Sequence, residues 1–488
     1  MQFGRESICK ALSLTITLVA FFLTVSSVIA GDFSAGPIFD QFPLTLGSGQ
    51  RTEIMGPFYY NEQNDTRNTL AFPPFFSLST DPVIDSSEYN FLYPVLTYVK
   101  YGTQYRAQLV EILSFSGGQS PDDLVRRRIT IFPIYFQQRS PDTNSNYTAF
   151  FPFYGHLKDR IFRDQIFFVM FPVYSETRKR DVINKNYLYP FFNVRHGDSL
   201  RGWQFWPFYG QEHKGVTTIT NTWEVETNAG HDEYFVLWPF HFWENGNIGA
   251  GDPETLRATL PLYSVYRSAA RDSTSVLWPF FNVINDREKK YREKEMPWPF
   301  IVVAKGEGKT ALRIFPFYQR AYNDTFQDNF YLWPVYKFNA IHAPPLDRRR
   351  TRVLLFLFQD TIDKNTETEK YKKRVDLWPL FVYNRDFDGS TRLQILALME
   401  SILPASPGIE RNWSPLWSVW RQENNPVTGA NSQSFLWNFY RRDAAPDTKT
   451  ISVCFGLYQS RTTRDTEKVR VFYIPVINRH PYHLSERQ

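Results

Sequence analysis

Cysteine is almost absent from this chain: Cys9 and Cys454 are the two among 488 residues. Cys9 lies in an N-terminal stretch that reads as a removable leader, so the mature chain is expected to carry Cys454 alone. No intramolecular disulfide can then staple the fold. Neither sign of charge dominates. The 55 Lys and Arg are set against 50 Asp and Glu and interleaved with them. A nucleic-acid binder would show a basic stripe or domain, so no nucleic acid is expected as partner. Past the leader there is no apolar run of helical spanning length. Catalytic signatures are missing too: nothing matches a nucleophile elbow, a zinc-protease helix or a Rossmann loop.

The leader has the charged, apolar, small-residue order of a secretory signal. Arg5 and Lys10 precede an apolar run from Ala11 to Leu23, and Val28-Ile29-Ala30 supplies the cleavage-site residues before Gly31. The expected division is a signal peptide over 1–30 and a single β-repeat domain over 31–488. An uncleaved anchor helix over 12–29 is the rival reading, weakened by the Thr and Ser that interrupt it. A lone cysteine is unusual in a large secreted ectodomain and ordinary in a bacterial envelope protein.

What the chain has in excess is aromatic residues, 17% of the total, together with 32 prolines. They fall into a recurring phrase. It reads Phe151-Pro152-Phe153-Tyr154, Tyr189-Pro190-Phe191-Phe192, Trp206-Pro207-Phe208-Tyr209, Trp278-Pro279-Phe280-Phe281 and Phe315-Pro316-Phe317-Tyr318, among others. Proline-free relatives stand at Leu436-Trp437-Asn438-Phe439 and Phe455-Gly456-Leu457-Tyr458, and cryptic copies fill the wider gaps at 108–115, 353–358 and 393–399. The spacing of roughly 19 residues gives about 22 units. Each unit reads as one strand, because its centre is a continuous apolar run of about 8 to 10 residues bounded by turn residues. The links are too short for crossover helices, which predicts an antiparallel meander.

The expected fold class is therefore all-β, a meander of about 22 aromatic–Pro–aromatic strands closed as a large up-and-down β-barrel. Propeller-like stacked sheets and a β-solenoid are the alternatives. The chain resembles outer-membrane barrels as a class in signal, strand length and ring content, which implies contact with outer-membrane lipid. Two features depart from that class. Proline within a central strand leaves a neighbouring carbonyl without its ladder donor, and the last residues are Ser485-Glu486-Arg487-Gln488 rather than a terminal aromatic.

Candidate sites are few. Gly306-Glu307-Gly308-Lys309-Thr310 resembles the end of a phosphate loop but has Val303 where the motif needs glycine, and a hairpin turn is the better reading. His196, His213, His231 and His241 lie in one stretch near Glu212 and Asp232 without any metal-type spacing. The runs Arg126-Arg127-Arg128, Arg178-Lys179-Arg180 and Arg348-Arg349-Arg350 are expected in inter-strand loops. There they would be solvated or would meet an anionic partner such as lipopolysaccharide. No catalytic, cofactor-binding or metal-binding residue is assigned, and no cofactor is expected. The leading expectation is a non-enzymatic bacterial cell-envelope protein, in the outer membrane as pore, transport component or surface scaffold. Its partners would be lipid, lipopolysaccharide or another envelope protein. A soluble exported protein, periplasmic or secreted, that binds carbohydrate or a protein partner is the alternative.

Overall fold

The computed structural model describes residues 38–119, 126–220, 225–404 and 406–479. The expected signal peptide, Cys9, His480, His483 and the last residues lie outside them. The described chain is all-β. Forty-five strands run from β1 (Asp40–Pro43) to β45 (Ile474–Arg479), and 43 of them form one sheet. Each strand in that sheet pairs antiparallel with its neighbour along the chain. The interruption is a separate hairpin of β20 (Thr217–Thr220) and β21 (Val225–Asn228), inserted between β19 (Tyr209–Lys214) and β22 (Gly230–Val236). One continuous meander is not the set of separate blades that a propeller needs, nor the parallel coils of a solenoid. It is also not closed by hydrogen bonds, since β1 pairs only with β2 (Gln50–Ile54) and β45 only with β44 (Glu467–Val471).

The sheet holds about twice the expected number of strands because the repeat unit was misread. The aromatic–Pro–aromatic phrase is not a strand centre. It is the turn between two strands. In Leu277-Trp278-Pro279-Phe280 the Phe280 N–H donates to the Leu277 carbonyl at 2.9 Å, which closes a four-residue turn with proline at its third position. The same bond closes Leu188-Tyr189-Pro190-Phe191 at 2.8 Å and Leu332-Trp333-Pro334-Val335 at 2.7 Å. The peptide bond before each of these prolines is cis. Proline has no N–H to give to a ladder, so the sheet places it where none is needed. The feared row of orphaned carbonyls does not arise.

Between phrases the chain turns again at short polar links. Asp198-Ser199 joins β17 (Phe192–Gly197) to β18 (Leu200–Phe205) with both residues at positive φ, the geometry that matches strand twist in a two-residue hairpin. Gly306 to Thr310 lies in the turn between β29 (Ile301–Gly306) and β30 (Thr310–Ile314), so the hairpin reading of that segment stands.

Within each strand, alternate residues face opposite sides of the ribbon. One face carries Asn, Gln, Ser, Ala and Gly. Asn90 and Ser77 are fully buried there, and Asn193, Ser275 and Gln319 nearly so. The other carries Phe281, Val283, Ile301 and Val303, all substantially exposed. Among the described residues nothing is layered over most of the ribbon. Its apolar clusters are local, such as Phe136, Tyr147, Ala149, Leu157 and Phe168 on four consecutive strands. A single layer that buries its small polar side is curled toward that side, and contacts between its first strands and residues 397–441 close the curl.

The meeting point is a seam between the first strands and residues 397–441. The link from β38 (Thr391–Ile395) to β39 (Trp420–Asn425) carries two short helices, α1 (Pro407–Asn412) and α2 (Ser414–Trp417). The Trp413 indole donates to the Tyr93 carbonyl at 2.9 Å, and the Tyr60 hydroxyl donates to the Arg411 carbonyl at 3.0 Å. Asn438 donates to Glu53 at 2.7 Å, and the Arg441 guanidinium lies 3.3 Å from the Phe42 ring centroid.

Candidate interaction surface

Strict alternation has a geometric consequence. In a meander, successive turns fall on opposite rims. The phrases and the other links alternate along the sheet, so every aromatic–Pro turn lies on one rim. The other rim is mostly polar, with Ile161-Phe162 between β13 (Tyr154–Arg160) and β14 (Arg163–Val169) as an exposed apolar exception. The cryptic copies obey the same rule. Residues 110–112, 354–357 and the helical link after Ile395 all close the apolar rim, as do the proline-free turns 436–439 and 454–457. Cys454 sits in the last of these and is a free thiol.

The rings along this rim form two tiers. The residues before proline stack on one another from turn to turn. Phe151 and Phe171 are 5.4 Å apart by ring centroid, Phe171 and Tyr189 5.7 Å, and Trp206 and Trp238 5.9 Å. Such pairs are favourable beyond their buried area. Backbone bonds tie the turns together as well, for example Trp238 N–H to the Pro207 carbonyl at 2.6 Å. The residues after proline point outward. Phe153, Phe208, Phe240 and Phe317 are each more than half exposed, and Leu188, Leu237 and Leu332 beside their own prolines are too. Monomeric proteins rarely expose so long an apolar edge.

The polar face carries a ladder of ions that is densest at the seam. Glu423 accepts from Arg421 Nη2 at 2.6 Å and from Arg392 Nε at 3.1 Å. Burial alone would raise its carboxyl, but Arg421, Arg392 and Arg441 outweigh that and hold it down at about 2. Arg51 bonds Glu53 at 2.8 Å and Glu62 at 3.2 Å and lies over the Tyr60 ring. Burial pushes the Tyr60 hydroxyl up to about 12.

Most of the basic residues expected in loops are elsewhere. Arg127 and Arg128 belong to β10 (Arg127–Ile131), Arg178 and Lys179 to β15 (Tyr174–Lys179), and Arg348 to Arg350 to β34 (Leu346–Val353). Alternation splits each run between the faces. Arg348 pairs with Asp363 at 2.6 Å across the ladder to β35 (Phe358–Asn365), and Arg350 donates to Gln359 at 2.8 Å. Arg348 and Arg350 thus lie on one face and bond across the ladder to side chains of β35.

The four histidines do not converge. His213 bonds Asp232, and His241 lies 3.0 Å from the Thr259 hydroxyl. His196 stands opposite Ile183 and Arg201. His231, however, lies 3.0 Å from Glu212, with Glu233 beside both. Sequence spacing hid this group because its members are neighbours across a ladder, 19 residues apart between Glu212 and His231. No family model matches the chain, and no curated protein matches it.

Proposed function

We propose that this chain is a non-enzymatic protein of the bacterial cell envelope, exported to the outer membrane, where it serves as a surface scaffold seated on lipid. The observation that carries the reading is the apolar rim. From one end of the described chain to the other, the aromatic–Pro turns and their proline-free copies lie on a single edge, opposite an edge of mostly polar turns. A protein partner would match a patch, whereas a whole apolar edge matches a lipid–water boundary, where aromatic rings are favoured.

Strand length argues for lying on the bilayer over crossing it. Membrane-crossing strands need about 9 to 11 residues. The strands here have 4 residues in β12 (Tyr147–Phe150) and 8 in β33 (Tyr336–Ala343), and six is common between them. The long apolar run that suggested a spanning strand is two strand ends and the turn between them. Its rings would reach roughly 5–10 Å into one leaflet, the depth of interfacial elements. Pore and transport roles lose their main support with the spanning strand.

Cell fractionation tests the proposal. The protein is expected in the membrane fraction, retained through a high-salt wash and released by mild detergent, because the contact is apolar rather than ionic. Recovery in the soluble fraction after lysis without detergent would overturn it and favour the exported binding protein.

A further inference from the structure

The polar face has one place where the ladder sets like charges against each other. In β19, β22 and β23 (His241–Ile248) the register pairs Glu212 with Glu233, and Glu233 with Glu244. Three glutamates thus occupy one row on three adjacent strands. Directly opposed like charges destabilise a sheet. One ion pair reaches the row, from Arg195, whose Nη1 lies 3.0 Å from Glu212 Oε2. Arg195 belongs to β17, two strands away on the side opposite Glu233. Lys214, opposite His231 on the same face, has no ion pair with the row among the described residues. Among the described residues no hydrogen bond or ion pair reaches the carboxylates of Glu233 and Glu244. His231 completes the group, its Nε2 3.0 Å from Glu212 Oε1. One ligand atom each from Glu212, His231 and Glu233 lies within 4.8 Å of the others.

We infer that Glu212, His231 and Glu233 bind one divalent transition-metal ion of the Zn2+ type at the edge of the open cleft that Glu212 and Glu233 line, with Glu244 as an additional oxygen ligand on the same row. Two carboxylates and one imidazole are a donor set that such ions take, with further positions filled by water or another carboxylate. The cleft, ≈ 320 Å³, is bordered by Glu212, Glu233 and Glu244 and walled toward the apolar rim by Phe235 and Trp238. It is wide enough for an ion and its waters. A bound dication would neutralise the Glu233 and Glu244 part of the row, which no ion pair reaches among the described residues. Arg195 then acts behind the site, fixing the second oxygen of Glu212 as an outer partner fixes a ligand.

The test uses the purified full chain, stripped with chelator and titrated with Zn2+ by calorimetry, with metal content measured after dialysis. One ion per chain is expected. Glu233→Gln and His231→Gln should each weaken binding at least tenfold. His213→Gln, which alters the histidine held by Asp232 on the other face, should leave it unchanged. Melting curves supply the second readout. Zn2+ should raise the melting temperature of the parent chain and not that of Glu233→Gln. The metal-free Glu233→Gln chain should melt no lower than the metal-free parent, since the substitution removes a like charge. Absence of stoichiometric binding, equal binding by the Glu233→Gln and His231→Gln chains, or a lower metal-free melting temperature would each overturn the site.

Discussion

At the scale of single residues, the seam is where a small change should matter most. Glu423 is the clearest case. Its folded value of about 2 lies below the ordinary 4.5. The stability it contributes is therefore complete above about pH 4.5 and is lost as the pH falls toward 2. The shift bounds that contribution at roughly 3 kcal/mol. Denaturant midpoints of the parent chain should drop over this window, and Glu423→Gln should remove that part of the pH dependence, which parallel titrations can read. Gly408 in α1 tests the packing of the same seam. A β-carbon there would lie 2.5 Å from the Tyr93 ring. That ring cannot simply swing aside, because its hydroxyl is 3.3 Å from Ser406 and its own carbonyl accepts from Trp413. Gly408→Ala should cost about 1–3 kcal/mol through overpacking. The loss should appear as faster hydrogen exchange at the helical link than in strands far from it.

At the scale of elements, the unit is two strands and two unlike turns. The sequence displayed the unit, its spacing and even the cryptic copies. It misled on where the strands begin. An apolar run such as Val276-Leu277-Trp278-Pro279-Phe280-Phe281 has no polar break, and alternation alone cannot tell a strand from two strand ends joined by an apolar turn. The signal that could have settled it was proline itself, which belongs in a turn wherever it recurs inside such runs. Because the rim is built from equivalent turns, its affinity for lipid should fall in steps. Replacing Phe208, Phe240, Phe280 and Phe317 together by Ser should lower partitioning onto anionic or neutral vesicles at least tenfold in a flotation assay. One replacement should have a small effect. All four sit on turn residues after proline and away from the ladders, so strand content by circular dichroism should stay unchanged. The candidate metal group was beyond sequence reading for a different reason. Its members meet through ladder register across a connection that includes a whole inserted hairpin, and no local spacing encodes that.

At the scale of the whole molecule, stability is spread along one dimension. Most strands touch only their two neighbours, so the ends and the seam between the first strands and residues 397–441 govern how the ribbon opens. The ends are also exposed sheet edges, a hazard for edge-to-edge growth. Both are blunted. β1 is four residues long and finishes in Pro43, while β45 places Pro475 at a register shift opposite Arg470. Pro475→Val should restore a regular edge and shift the protein toward higher oligomers, which light scattering would detect. An unchanged size distribution would mean that Pro475 is not what keeps this edge from pairing.

Turn alternation has a final consequence, one of counting. Whether a turn belongs to the apolar or the polar rim depends only on whether an even or an odd number of strands precedes it. Removing one strand would exchange the rims for everything downstream and strand the remaining rings in water. Removing a pair would only shorten the ribbon by one period. Chains of this kind can therefore lengthen or shrink by duplication and deletion in steps of two strands. Their girth is free to vary, and the sidedness of the edge is held by parity.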